Sequence, residues 1–230
     1  METRGFMYRY ELHAHTCECD KVATISGGQL VEEYHKAGYD GLVITDHYFS
    51  LFFDWFANEL TNKTKDQIIT RWLKGYYAAK ERGKELQFTV LPGAEVRLKG
   101  SANDYLIYGL EEKDFYGLPY LHQLPTLEDV KKVLPSYALL VQAHPFRDRM
   151  LVHSPDCLFG IEGYNGSNPP IRNDLAKLFA RHYQKPITSG SDCHHLNAVG
   201  KGGIVTPTPI LCPADLSAVL QKGKYEVIEP

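Results

Sequence analysis

Residues 41–47 read Gly-Leu-Val-Ile-Thr-Asp-His. A short apolar run without alternation is the pattern of a strand buried on both faces, as in a parallel sheet. This one runs straight into an acid and a histidine. The same design recurs on either side of it. Residues 8–13 form a first predicted strand ending in His13-Ala14-His15, and residues 88–91 a third, followed by Pro92-Gly93-Ala94-Glu95. Residues 105–109 (YLIYG) give a fourth, and 138–143 (ALLVQA) a fifth that ends in His144-Pro145. Residues 160–164 suggest a sixth, and 186–189 a seventh that ends in Gly190-Ser191-Asp192-Cys193-His194.

Helical patterns separate these strands. Ser26 is placed to cap a helix through about residue 37, with Leu30, Val31 and Tyr34 at helical spacing and Gly38 as a stop. A long helix is predicted over 65–81, with shorter ones over 127–134, 174–183 and 213–220. Residues 49–61 are aromatic and read as irregular, and residues 225–228 close the chain. Alternating strands and helices predict an α/β fold with a parallel sheet. No repeat, low-complexity tract or linker divides the chain, so residues 1–230 are expected to form a single domain.

Composition narrows the function. Lys and Arg number 25 against 28 Asp and Glu, a net charge of −3, so nucleic acid is not the expected main partner. No apolar run reaches the roughly 18 residues of a membrane span, and the first fifteen residues lack a secretory apolar core. Five scattered cysteines without a C-x-x-C pair argue against a disulfide framework and for a reducing cytoplasm.

The chemistry lies at the strand ends. His13-x-His15, Asp46-His47, Glu95, His144 and Asp192-x-His194 each follow a predicted strand, and in a closed parallel barrel such ends share one face. Residues i and i+2 project to the same side, so His13 with His15, and Asp192 with His194, can grip one ion. Imidazole and carboxylate suit zinc, manganese or iron. One strand-end histidine is more often packed or solvent-facing than a ligand, but five such sites at five strand ends point to a shared metal centre. Asp46 is expected to orient His47 or, as the plainer alternative, to cap a turn.

Taken in order, YELHAHTCECD, ITDH, PGAEV, QAHP, GIEGYNG and GSDCH resemble the motifs of the PHP family, named for polymerase and histidinol phosphatase. The resemblance covers nearly the whole chain and implies a distorted (β/α)7 barrel with up to three metals. It implies that His13, His15, Glu95 and Asp192 hold one ion. Glu95 would bridge to a second held by His144, and Asp20, His47 and His194 would hold a third. Asp104 stands where many members carry a histidine and is carried over as a further ligand of the second ion. Glu95, Asp192 and His194 are the catalytic candidates. The implied activity is a metal-dependent phosphoesterase, histidinol-phosphatase-like in type, using two or three divalent ions (zinc, manganese or iron) and a metal-bridging hydroxide on a small phosphorylated metabolite or nucleotide. A regulatory, non-catalytic module and an amidohydrolase-type metal hydrolase are the competing readings.

Three further residues are candidates for substrate binding. Arg147 offers a guanidinium fork for phosphate or a surface ion pair, with Arg149 the weaker choice. His195 adjoins a ligand and could donate a proton to a leaving group. Lys201 sits in a Gly-Lys-Gly-Gly loop that lacks phosphate-loop spacing. Cys17-x-Cys19 reads as small buried residues more readily than as a soft-metal pair. Trp55, Trp72, Tyr76 and Tyr77 read as core or lid.

Overall fold

The computed structural model describes residues 7–230; the leader expectation rests partly on residues 1–6, outside the described residues. The first half runs β1 (Tyr8–Ala14), α1 (Gly27–Lys36), β2 (Gly41–Ile44), β3 (His47–Tyr48), α2 (Ser50–Trp55), α3 (Ala57–Leu60), α4 (Lys65–Trp72), α5 (Lys74–Leu86), β4 (Thr89–Pro92) and β5 (Ala94–Arg97). Then follow β6 (Asp104–Tyr108), α6 (Glu112–Gly117), α7 (Leu127–Val133), β7 (Leu139–Gln142), β8 (Gly160–Asn165), α8 (Pro170–His182), β9 (Ile187–Gly190), β10 (Ile204–Thr206), α9 (Pro213–Lys222) and β11 (Glu226–Val227).

Local chemistry explains the boundaries. Ser26 and Gln29 close a capping box at the start of α1, and Thr64 with Gln67 does the same for α4. Gly38, at φ +79, ends the first helix in a conformation glycine adopts without strain. The long helix predicted over 65–81 is instead two, broken at Leu73. The break lets Gly75 sit under the loop after β1, where a Cβ would collide with Thr16 and Asp46. The irregular stretch 49–61 forms two short helices, and α6, β5 and β10 were not foreseen.

The fold is α/β, but the expected seven-stranded barrel is not what the hydrogen bonds draw. The strands form two sheets, ordered β11-β10-β1-β2-β4 and β3-β5-β6-β7-β8-β9. A bridge from Ala14 to Cys193 joins them. Pairing is parallel for β1 with β2, β2 with β4, β7 with β8, and β8 with β9. It is antiparallel where β10 folds back on β1 and where β5, β6 and β7 form a meander. One apolar cluster, including Leu30, Tyr34, Phe52, Ile69 and Trp72, packs the helices against the strands. A second, including Leu12, Val43, Leu106 and Val141, fills the space between the sheets.

Candidate metal centre and active site

Both sheets contribute to one layer of buried histidines and carboxylates. His13 is the penultimate residue of β1 and His15 follows the strand; His47 opens β3; Glu95 lies on β5; His144, Asp192 and His194 follow β7 and β9. His13, His15 and Asp20 are fully buried, and Glu95 and His144 nearly so. Glu95 sits at the centre. Its Oε1 is 2.9 Å from His144 Nε2; its Oε2 is 2.9 Å from His47 Nε2, 3.4 Å from His15 Nε2 and 3.5 Å from His13 Nε2. Asp192 Oδ1 lies 3.4 Å from His15 Nε2 and 3.3 Å from His194 Nδ1. Asp20 Oδ2 is 2.7 Å from His47 Nδ1 and 3.2 Å from His194 Nε2.

These atoms form three overlapping groups: His15, Asp20, His47 and His194; His13, His15 and Asp192; and His13, Glu95 and His144. Several have no hydrogen-bond partner although fully buried, namely His13 Nε2, both ring nitrogens of His15 and Asp192 Oδ1. Buried polar atoms without partners cost roughly 1–3 kcal/mol each. Converging orphan nitrogens and carboxylate oxygens fit a set of hard or borderline divalent cations, which would satisfy them together.

The protonation pattern has the same cause. Burial opposes charge on His47, but Glu95 and Asp20 outweigh it and push its pKa up to about 9. His194 is likewise raised to about 10, against burial, by Asp192 and Asp20. His15 is lowered to about 3 by burial and by its neighbours His194 and His47. Glu95 and Asp192, despite burial, are held well below the carboxylate range by the imidazoles around them. The protein thus carries imidazolium–carboxylate pairs where cations would sit.

Supporting residues hold the donors in place. Glu162, buried on β8, bonds His13 Nδ1 at 2.8 Å and accepts the His144 backbone N–H at 2.9 Å. This fixes both a ring tautomer and a strained turn, since His144 has φ +25. Asp192, at φ +51, is held similarly, with Asn165 Nδ2 at 3.3 Å. Asp46 does not reach the His47 ring. It accepts from Thr16 N at 2.6 Å and Thr16 Oγ1 at 2.7 Å, so it organises the loop carrying Asp20, which itself orients His47. Burial raises Asp46 to about 7.

Asp104 stands outside the three groups. Its nearest approach is 3.9 Å from His144 Nε2, and its oxygens face Arg97 and Arg147. The expected second-ion ligand is thus engaged by guanidinium groups, the opposite charge to a carboxylate awaiting a cation. Cys19 is buried and donates to the Trp72 carbonyl while Cys17 is exposed, so the two thiols do not form a ligand pair.

A pocket of about 630 Å3 opens over the layer, a size suited to a small metabolite. His47, Asp192 and His194 form its floor, Phe49, Leu51 and Trp55 an apolar wall, and Arg97 and Arg147 one end. His195 and Lys201 also line it, His195 with Nδ1 2.9 Å from Thr24 Oγ1. Sequence reasoning missed Arg97 and gave Glu162 no role. The acid within GIEGYNG was the available signal for Glu162, whereas Arg97 had none, because its strand was not foreseen.

Residues 170–225 match a family model described as PHP-associated. None of the curated proteins matches the chain in sequence. Among solved structures, a two-domain protein from Bacteroides vulgatus, described as containing a predicted PHP-like metal-dependent phosphoesterase, superposes with a TM-score of 0.68 at 13% identity. That match covers 98% of this chain and 65% of the other, so the chain spans just under two thirds of that relative. An amidohydrolase from Chromobacterium violaceum, with bound sulfate and no metal, gives 0.58 at 15% identity over 94% and 97% of the two chains. The lesion-specific endonuclease PfuEndoQ from Pyrococcus furiosus gives 0.61 at 11% identity over 96% and 58%. The family match supports the PHP resemblance over about a quarter of the chain, which holds the last of the strand-end motifs, and the shared fold agrees with it. At these identities the structural likeness speaks for the fold alone.

Proposed function

We propose that the chain is a metal-dependent phosphoesterase acting on a small phosphorylated metabolite or nucleotide, working as a single domain on its two-sheet α/β scaffold. The observation that carries this reading is the layer of buried, unpartnered imidazole and carboxylate atoms beneath a pocket that ends in two arginines. Two or three divalent cations, with zinc, manganese or iron as the ions of matching ligand chemistry, would polarise phosphoryl oxygens there and acidify a water toward neutrality. His13, His15, Asp20, His47, Glu95, His144, Asp192 and His194 are the proposed ligands, with Glu95 as the bridge. Glu95, Asp192 and His194 border the reacting centre. Arg147 takes substrate phosphate, His195 is the proton donor to the leaving group, and Lys201 closes the pocket mouth.

A phosphate fits this pocket better than a neutral amide does, because guanidinium groups pair with phosphate oxygens in charge-assisted bonds. A small substrate fits the net charge of −3 better than a nucleic-acid strand would. The five free cysteines agree with a reducing cytoplasm.

The test is a hydrolysis screen of p-nitrophenyl phosphate, its diester, a single-stranded oligonucleotide and aryl amides, alongside elemental analysis of protein purified without chelator. Phosphoester turnover with two to three equivalents of metal is expected, its rate climbing from acid to neutral pH. Amide turnover alone, or less than about half an equivalent of metal with no uptake of added manganese or zinc, would sink the reading. Turnover of the oligonucleotide alone would replace the small substrate with a nucleic acid.

A further inference from the structure

Asp104 is buried, yet both arginines it faces remain partly open to the pocket. Its side chain is 1% exposed, against 28% for Arg97 and 34% for Arg147. Arg97 makes a fork to it, Nε to Oδ1 at 2.6 Å and Nη2 to Oδ2 at 2.7 Å. Arg147 Nη2 donates to the same Oδ2 at 2.6 Å. The Arg97 guanidinium also lies over the Phe49 ring, 5.2 Å from its centre, and Phe49 stands edge-on to His47. One carboxylate shared by two guanidinium groups leaves a net positive charge. It leaves the remaining N–H donors of both arginines unused by Asp104.

We propose that Asp104 is a positioning residue for a two-arginine anion clamp and not a metal ligand. The clamp receives the terminal, dianionic phosphate of a phosphomonoester, with Arg97 and Arg147 as its binding residues. The inference rests on the phosphoesterase reading and names its substrate class. A terminal phosphate offers enough unesterified oxygens to engage two guanidinium groups and the cluster together. An internal diester has only two such oxygens. The arrangement also gives this carboxylate a use at its position, as the counter-charge that both guanidinium groups face. The rigid, planar fork of arginine suits this task, and lysine would not reproduce it.

The test uses inorganic phosphate as the probe, by titration calorimetry on metal-loaded protein, with metal content measured on the same samples. Asp104→Asn keeps shape and removes charge. It should retain the wild-type metal content, bind phosphate about tenfold or more weakly, and raise the KM for p-nitrophenyl phosphate more than it lowers kcat. Arg147→Gln alters a side chain one-third exposed and well able to fold, and it should weaken phosphate binding similarly with Asp104 intact. Metal loss from Asp104→Asn returns Asp104 to the ligand set and overturns the proposal. So does unchanged phosphate affinity in Arg147→Gln, or a diester preferred to the monoester. Tight phosphate binding that both variants weaken, without turnover of any phosphoester, would leave the clamp standing and sink the esterase reading instead.

Discussion

Glu95 reaches four imidazoles with two oxygens, whereas Asp46, also buried beside the cluster, reaches none. Glu95→Gln should therefore strip metal and abolish most turnover, while Asp46→Asn should keep its metal and cost no more than about 1.5 kcal/mol in a urea titration, the scale of one net hydrogen bond. Equal metal content in the two variants would remove Glu95 from the bridging role. Proton uptake gives a second check. His47 and His194, with pKa values of about 9 and 10, carry protons at neutral pH in the metal-free chain. Cations must displace those protons, so affinity should climb as pH rises from 6 toward 9. Adding zinc to chelated protein in buffers of different ionisation enthalpy should show proton release; the same heat in every buffer would contradict the pairing. At this scale, the proposed ligand histidines were legible because each falls at or just past the end of a predicted strand. Arg97 and Glu162 were not, since their partners lie on other strands and spacing along the chain does not report them.

At the scale of elements, the α1–α5 contact depends on an absence of side chains. A Cβ on Gly75 would strike the Thr16 hydroxyl and Asp46, and one on Gly27 would strike the Gly75 carbonyl. Gly75→Ala should destabilise the protein by about 1–3 kcal/mol, the cost of overpacking. It should also weaken metal retention, because the displaced Thr16 loop carries Asp20. A variant with wild-type stability and metal content would show that the loop yields freely. Helix α1 was readable from its capping box and spacing, because those signals are local. The break at Leu73, the hairpin of β5 with β6 and the return of β10 onto β1 were not. Each answers a tertiary need, to clear Thr16, to bring Glu95 inward and to cover the edge of β1, and the segments are too short for periodicity to register.

For the whole molecule, acid sensitivity has a source away from the cluster. Burial, helped by Lys99, lowers His122 to about 4 in the folded chain, against about 6.5 for a free imidazole. The unfolded chain takes up a proton in this window and the folded chain does not, so stability falls as pH drops from about 6.5 to 4. His122 packs on Phe53, with ring centres 4.4 Å apart, so His122→Phe keeps an aromatic contact and removes the titration. Its urea midpoint relative to wild type should improve between pH 7 and pH 5; a constant difference would place the acid response elsewhere.

The seam between the two sheets has a consequence of its own. His13 and His15 belong to the β1 side, while Glu95, His144 and Asp192 belong to the other, so any ion they share spans the seam. A loaded cation is then a rivet as well as a reagent. Metal bound there should therefore raise the stability of the fold as a whole, by mass action on the closed state.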